Sequence, residues 1–226
     1  MHLIAVEDPT HSEHKLLIEA MLRLRAKVFA DRLNWQVDSR DGLERDSFDD
    51  EDPTYILAVE DDRQVVGCVR LLPPMRSSML VEVFPELLDE SLRPHERMIE
   101  SSRFCVDKDL LLQSSKTGEG CAVPRRAGSD AGSAGRSVMQ LRTRMLLAAI
   151  LEWGLMHGYD ELVTATDLRF ERLLKIAGWP LRRLGRPRMI NETRSIAGSL
   201  QISTEIFRSL RPDGYRPLVD TLTIAG

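Results

Sequence analysis

The chain has 226 residues, with 31 basic and 35 acidic side chains for a formal net charge of −4, 42% hydrophobic residues and 29% charged ones. This is the profile of a globular protein with apolar material for a sizeable core; it excludes a disordered, collagenous or coiled-coil chain. The longest strictly apolar run, Met145 to Leu151, is far short of the roughly 20 residues that cross a bilayer, and the N-terminus lacks a basic segment followed by a long apolar one, so one cytoplasmic domain over residues 1–226, without a membrane span, is expected.

In chain order, His2 to Val6 reads as a short strand. His11 to Leu33 reads as helical, because Leu17, Ala20, Met21, Leu24 and Val28 recur at threes and fours. Trp35 to Pro53 is rich in Asp and poor in apolar residues, so an ordered but irregular segment is expected, too long for a simple turn. Tyr55 to Glu60 and Gln64 to Pro73, separated by Asp61-Asp62-Arg63, read as a hairpin. Met79 to Phe84 is expected to be a further extended piece and Met98 to Val106 a strand. Residues 114–137 are rich in Ser and Gly and predict a flexible insertion. Val138 to His157 then reads as an amphipathic helix closed by Gly158, Glu161 to Thr166 as a strand, Leu168 to Ala177 as a helix ended by Gly178, and Arg188 to Ala197 as a late strand. The order predicts an α/β sandwich with a central mixed sheet flanked by helices.

Charge is unevenly distributed. Residues 41–62 hold ten acids and one base, and residues 121–190 hold twelve bases and six acids. The basic half has no interleaved aromatics and no nucleic-acid-binding motif, so no nucleic acid is expected as a partner. Cysteines at 68, 105 and 121 form no C-x-x-C pair, which argues against a disulfide framework and a metal site. Cys68 and Cys105 are expected to be small buried hydrophobes. Hydrolase, metalloprotease and phosphate-loop signatures are absent.

What remains is a set of charged residues outside any helix-surface pattern: Arg25, Asp46, Asp49, Arg70, Glu100 and Arg103. Arg70 and Glu100 interrupt apolar strand sequences, so each either faces solvent by alternation or is buried and paired. Phe29 and Trp35 flank this set and suit core packing as well as a ligand box.

These residues fall in blocks: Arg25-x-x-x-Phe29-x-x-Arg32-Leu33-x-Trp35, Gly42-x-Glu44-x-Asp46-x-Phe48-Asp49, Gly67-x-Val69-Arg70-Leu71-Leu72-Pro73 and Glu100-Ser101-Ser102-Arg103-Phe104-x-Val106. In order and spacing they resemble the acyl-homoserine-lactone synthases, the LuxI-type autoinducer synthases. The similarity runs on through Gly158-Tyr159-Asp160, Thr164, Gly178-Trp179-Pro180 and Arg183-Leu184-Gly185; the Gly/Ser-rich insertion is longer than that family leads one to expect.

The resemblance implies a GNAT-like fold and a reaction that joins S-adenosylmethionine to an acyl group carried by an acyl-carrier protein or acyl-CoA, with release of methylthioadenosine. S-adenosylmethionine is then a consumed substrate, and no cofactor is expected. The attacking amine needs a proton acceptor, for which Glu100 is the first candidate. Arg25 or Arg103 is expected to hold the substrate carboxylate, while Asp46 and Asp49 either tie Arg25, Arg70 and Arg103 together or hold substrate. Phe29, Trp35 and Phe104 are expected to enclose the adenosyl group, Ser102 to touch substrate, and Thr164 to favour acyl chains oxygenated at the third carbon. Arg169, Arg172, Lys175, Arg182 and Arg183 are expected to steer an acidic carrier protein. Two rival readings stand beside this one, a GNAT-type N-acyltransferase using acyl-CoA and a non-catalytic charge-complementary module.

Overall fold

The computed structural model describes residues 1–32, 37–60, 64–107 and 130–220. Trp35, Cys121, the proposed turn at 61–63 and residues 114–129 of the expected insertion lie outside them. Among the described residues the sheet has nine strands, in the order β11 (Val219–Asp220), β1 (His2–Val6), β4 (Thr54–Val59), β5 (Val65–Leu72), β6 (Met98–Val106), β7 (Glu161–Asp167), β10 (Thr193–Gln201), β8 (Arg182–Arg183), with β9 (Arg188–Ile190) beside β10. β2 (Ser39–Arg40) and β3 (Leu43–Glu44) form a separate small ribbon. Pairing is antiparallel except between β1 and β11 and between β6 and β7, so the sheet is mixed, as expected.

Helices cover both faces. On one, α1 (Lys15–Arg25), continued by a π-helical stretch Ala26–Arg32, buries Met21, Leu24, Val28 and Phe29 against β1, β4 and β5. On the same face α2 (Met79–Glu82) places Leu80 against Met98 and Val163. On the other, α3 (Asp130–Met156) lays Leu146 to Leu151 on Leu3, Ile56, Val69 and Leu71, and α4 (Leu168–Ala177) and α5 (Thr204–Leu210) complete that layer. Gly67 is needed where α3 presses on β5, since a Cβ there would lie 2.8 Å from Leu146 Cδ1. No helix of the described residues is long and apolar enough to cross a membrane.

Three expectations are corrected. Within Met79 to Phe84, Met79–Glu82 is helical rather than extended: the Ser78 side chain accepts the Val81 N–H as an N-cap, and both flanks of β5, the strand it follows, are taken by β4 and β6. Arg188 to Ala197 is a hairpin rather than one strand, turned at Asn191 with φ +51°. The helix expected from Val138 starts at Asp130, so the last part of the expected insertion is helical; once the apolar stretch beyond Val138 has nucleated a helix, each further residue adds a hydrogen bond without a new nucleation cost. The short β8, β11 and α5 were not expected.

Candidate active site

Position along β6 decides the site. β6 and β7 run parallel through Met98↔Glu161, Ile99↔Leu162, Glu100↔Val163 and Ser101↔Thr164, and their pairing stops there. Beyond that point the β5–β6 register slips between Cys68 and Arg70, and Arg103 takes a left-handed φ of +55°. A non-glycine residue holds such a backbone only when its surroundings impose it. The bulge turns β6 away from β7 and leaves a gap in the sheet.

A cavity of about 390 Å³ fills that gap. Side chains directly opposite across strands share a face, so Glu100, paired with Leu72 and Val163, points to the α1 and α2 side. Leu162 and Thr164 are one residue out of phase with Val163 and point to the α3 and α4 side. Both sets line the cavity, which therefore passes through the split sheet from a charged side to an apolar one.

On the charged side, six residues form a closed ring in which cations and anions alternate. Arg25 grips Asp49 with two hydrogen bonds of 2.8 and 2.9 Å and donates through Nε to Glu44. Glu44 accepts from Arg103 at 2.9 Å, and Arg103 reaches Asp46 at 2.6 Å. Asp46 accepts from Arg70, and Arg70 returns to Asp49 at 2.8 Å. Arg25, Arg70 and Glu44 are fully buried, whereas Asp46 and Arg103 are 19% and 12% exposed, so the ring opens at that pair.

Local structure sets these positions. Asp46 and Asp49 form a reciprocal capping box around the 3-10 turn Ser47–Asp50, which aims both carboxylates at the arginines. The Tyr55 hydroxyl donates to Asp49 at 2.5 Å, and the Ser102 hydroxyl accepts from Arg70 Nε at 3.0 Å. Arg103 lies over the Phe29 ring and Arg70 over Phe48, each 5.6 Å from the centroid. Burial alone would raise the Asp49 pKa, but the hydrogen bonds and charges of Arg25 and Arg70 outweigh it and hold that carboxyl well below its ordinary range.

Glu100 behaves in the opposite way. It is 3% exposed; Oε1 accepts the Leu80 N–H at 3.0 Å, while Oε2 has no hydrogen-bond partner among the described residues. Burial pushes its pKa up to about 7, against the smaller opposing effects of the Ser78 hydroxyl and the Leu80 amide. A carboxylate poised there, lining a cavity, has the properties of a general base at neutral pH.

The structure thus brings together Arg25, Phe29, Asp46, Asp49, Arg70, Glu100, Ser102, Arg103, Phe104 and Thr164. Phe104 lies against Phe170, centroids 4.9 Å apart, in the cavity wall. The Thr164 hydroxyl donates to the Ser101 carbonyl at 2.9 Å, at the last paired position before the split. The basic set is less uniform than its sequence suggested. Arg183 forms two bonds with Glu171 at 2.6 and 2.8 Å, Arg182 reaches Glu161 at 3.3 Å, and both line a second, open groove. Arg169, Arg172 and Lys175 stand exposed on α4. Glu44 and Tyr55 were missed as site residues. Glu44 was legible as the alternate position before Asp46, whereas Tyr55 needed the β4–β5 register that sets it opposite Arg70.

Comparison with known proteins identifies the family. A family profile described as "Autoinducer synthase" fits residues 9–123 and 129–210. The acyl-homoserine-lactone synthase of Agrobacterium fabrum is 43% identical over 227 residues, covering 99% of this chain and 98% of the relative, and a probable acyl-homoserine-lactone synthase of Sinorhizobium fredii is 43% identical over 217 residues, covering 96% and 95%. Among solved structures, the CoA-dependent acyl-homoserine lactone synthase BjaI, bound to SAM and isopentyl-CoA, superposes with a TM-score of 0.75 at 26% identity, covering 99% of this chain and 98% of that one. The sheet flanked by helices is accordingly of the GNAT-like kind. The chain belongs to the autoinducer synthase family, the acyl-homoserine-lactone synthases.

Proposed function

We propose that the enzyme joins the α-amino nitrogen of S-adenosylmethionine to an acyl group delivered as a thioester, then closes the homoserine lactone. The observation that carries this reading is Glu100: a buried carboxylate with one unpartnered oxygen, titrating near neutrality, in a cavity that is charged on one side of it and apolar on the other.

In the first step Glu100 takes the proton of the substrate ammonium, directly or through a water. The freed amine attacks the thioester carbonyl carbon, an amide bond forms, and the thiol leaves carrying a proton. In the second step the substrate carboxylate attacks the carbon bonded to sulfonium sulfur; that bond breaks, its electron pair stays on sulfur, and neutral methylthioadenosine departs. S-adenosylmethionine is thus consumed as a substrate rather than recycled as a cofactor.

Arg103 and Asp46, at the open edge of the ring, offer a cation for the substrate carboxylate and an anion for its positive groups. Arg25, Arg70, Glu44 and Asp49, sealed from solvent, act instead by holding that pair in place. Phe29, under Arg103 on the charged side, supplies an aromatic surface for the adenosyl group, whereas Phe104, expected from the sequence to join it there, packs on Phe170 of α4 toward the apolar side. Thr164 already donates to Ser101, so hydrogen bonding to an oxygenated third carbon requires its hydroxyl to turn.

For the donor we favour an acyl-carrier protein, an acidic partner suited to Arg169, Arg172 and Lys175. Acyl-CoA is the second reading, favoured by the likeness to BjaI, which was crystallised with isopentyl-CoA. Purified protein is incubated with S-adenosylmethionine and a panel of acyl-carrier-protein and acyl-CoA thioesters, and products are read by mass spectrometry. Methylthioadenosine and acyl homoserine lactone in equal amounts are expected; amide or lactone with neither donor type would refute the activity.

A further inference from the structure

On the apolar side of the split sheet the cavity is lined by Leu147 and Ile150 of α3, Leu162 of β7, Leu174 of α4, Leu200 of β10 and Trp179. None is more than 2% exposed. Leu162 and Leu200 face each other directly across β7 and β10, and Leu162 is two residues from Thr164 on the same face. That puts this wall roughly 7 Å of strand beyond the split.

Five members of the wall are aliphatic and adjust by rotamer changes, but Trp179 is pinned. Its indole Nε1 donates to the Gln201 carbonyl at 2.8 Å, and its main-chain N–H donates to Leu174 at 2.9 Å. Gly178, with φ +89°, makes the left-handed turn at the end of α4 that delivers the ring to this place.

We propose that the Trp179 indole is the end stop of the acyl pocket and sets the longest chain the enzyme accepts, a proposal that rests on the acyl-thioester activity argued above. An alkyl end that just meets the ring is fully buried. One that is longer must move a side chain that is both hydrogen-bonded and close-packed, and a well-packed interior has no free room to receive it. The single polar atom of the wall, the indole nitrogen, is already engaged by Gln201, so a hydrocarbon terminus is accepted and a charged or carboxylated one is rejected.

The test is kcat/KM over a series of straight-chain acyl thioesters of increasing length, for wild type and Trp179→Phe. The variant should favour longer donors: the ratio of kcat/KM for a donor past the wild-type limit to that for the wild-type optimum should rise by about fourfold per added methylene, the equivalent of 0.8 kcal/mol per buried CH₂. Superimposable length profiles would overturn the end stop while leaving the activity standing, and no lactone from any donor would overturn both.

A second measurement needs no folded variant. An acyl thioester brominated at its terminal carbon should quench tryptophan emission of the wild-type protein more than one brominated beside the thioester; equal quenching by both would overturn the proposal.

Discussion

Arg25 on α1 and Leu162 on β7 are equally sealed from water, yet opposite physics keeps them there. Around Arg25 three cations and three anions satisfy one another in a closed ring whose geometry is set by a capping box, a tyrosine hydroxyl and a strand bulge. Around Leu162 the contacts are undirected hydrocarbon packing. A ring of this kind fails when one member is removed, because its partners are left buried and unpaired. An apolar wall tolerates changes that conserve volume. The difference matches the reaction: the polar substrate must be held in one orientation, while the acyl end needs only length and shape.

The contrast can be broken most severely at Asp49. Replacing it by Ala leaves Arg25 with Glu44 alone and removes a partner of Arg70 and Tyr55, and urea denaturation should show a loss of about 3–5 kcal/mol. Leu147→Met, on the apolar side, should cost less than about 1.5 kcal/mol. Equal losses would mean that the ring is no more constrained than the core.

Next in size is the pH dependence of stability, in which two carboxylates on the charged side pull in opposite directions. The Asp49 pKa is lowered, so its contribution is complete above the unfolded value of 3.8 and is lost as pH falls through the folded one. The Glu100 pKa is raised from 4.5 to about 7, so its contribution is complete below 4.5 and is lost as pH rises through about 7. Glu100→Gln should therefore gain stability relative to wild type between those values, by up to about 3 kcal/mol. A constant difference in melting temperature across that window would contradict the placement of Glu100 in a dry environment.

A smaller effect is expected at the surface of α4. If a carrier protein docks there, changing Arg169, Arg172 and Lys175 to Glu should raise the KM for the carrier-protein donor and reduce its salt sensitivity, with the KM for S-adenosylmethionine unmoved. Arg183 is left out because it is bound to Glu171, where a second acid would disturb the fold. The same loss with an acyl-pantetheine donor would point to damage in the pocket instead. The smallest effect should follow deletion of residues 115–128, whose sequence has no cluster of large apolar side chains to bury; a large drop in melting temperature would contradict that reading.

How much of this was legible depended on the range of the interactions. β1, β6 and α4 could be read residue for residue, because alternation or 3.6-residue periodicity sits between clear stop signals. Met79 to Glu82 was misread because a short apolar run carries no period of its own, and its state is decided by a cap at Ser78 and by which sheet positions are free. For the site, spaced blocks identified the charged residues, but sequence left open whether Arg70 and Glu100 faced solvent or were buried. That depends on register: one slip between Cys68 and Arg70 turns Arg103 into the cavity and opens the sheet beside Thr164. Trp179 was visible in Gly178-Trp179-Pro180, but nothing local could show which cavity its ring closes.

The central claim is that the buried Glu100 carboxylate accepts the amine proton, and the most direct test is the pH dependence of acyl homoserine lactone formation at saturating S-adenosylmethionine and thioester, in wild type and Glu100→Gln. The wild-type rate should rise with unit slope to a plateau through about pH 7, while the variant, correctly folded, should remain roughly 10²- to 10⁴-fold slower than the plateau at every pH. A variant within a few-fold of wild type at neutral pH would contradict the account.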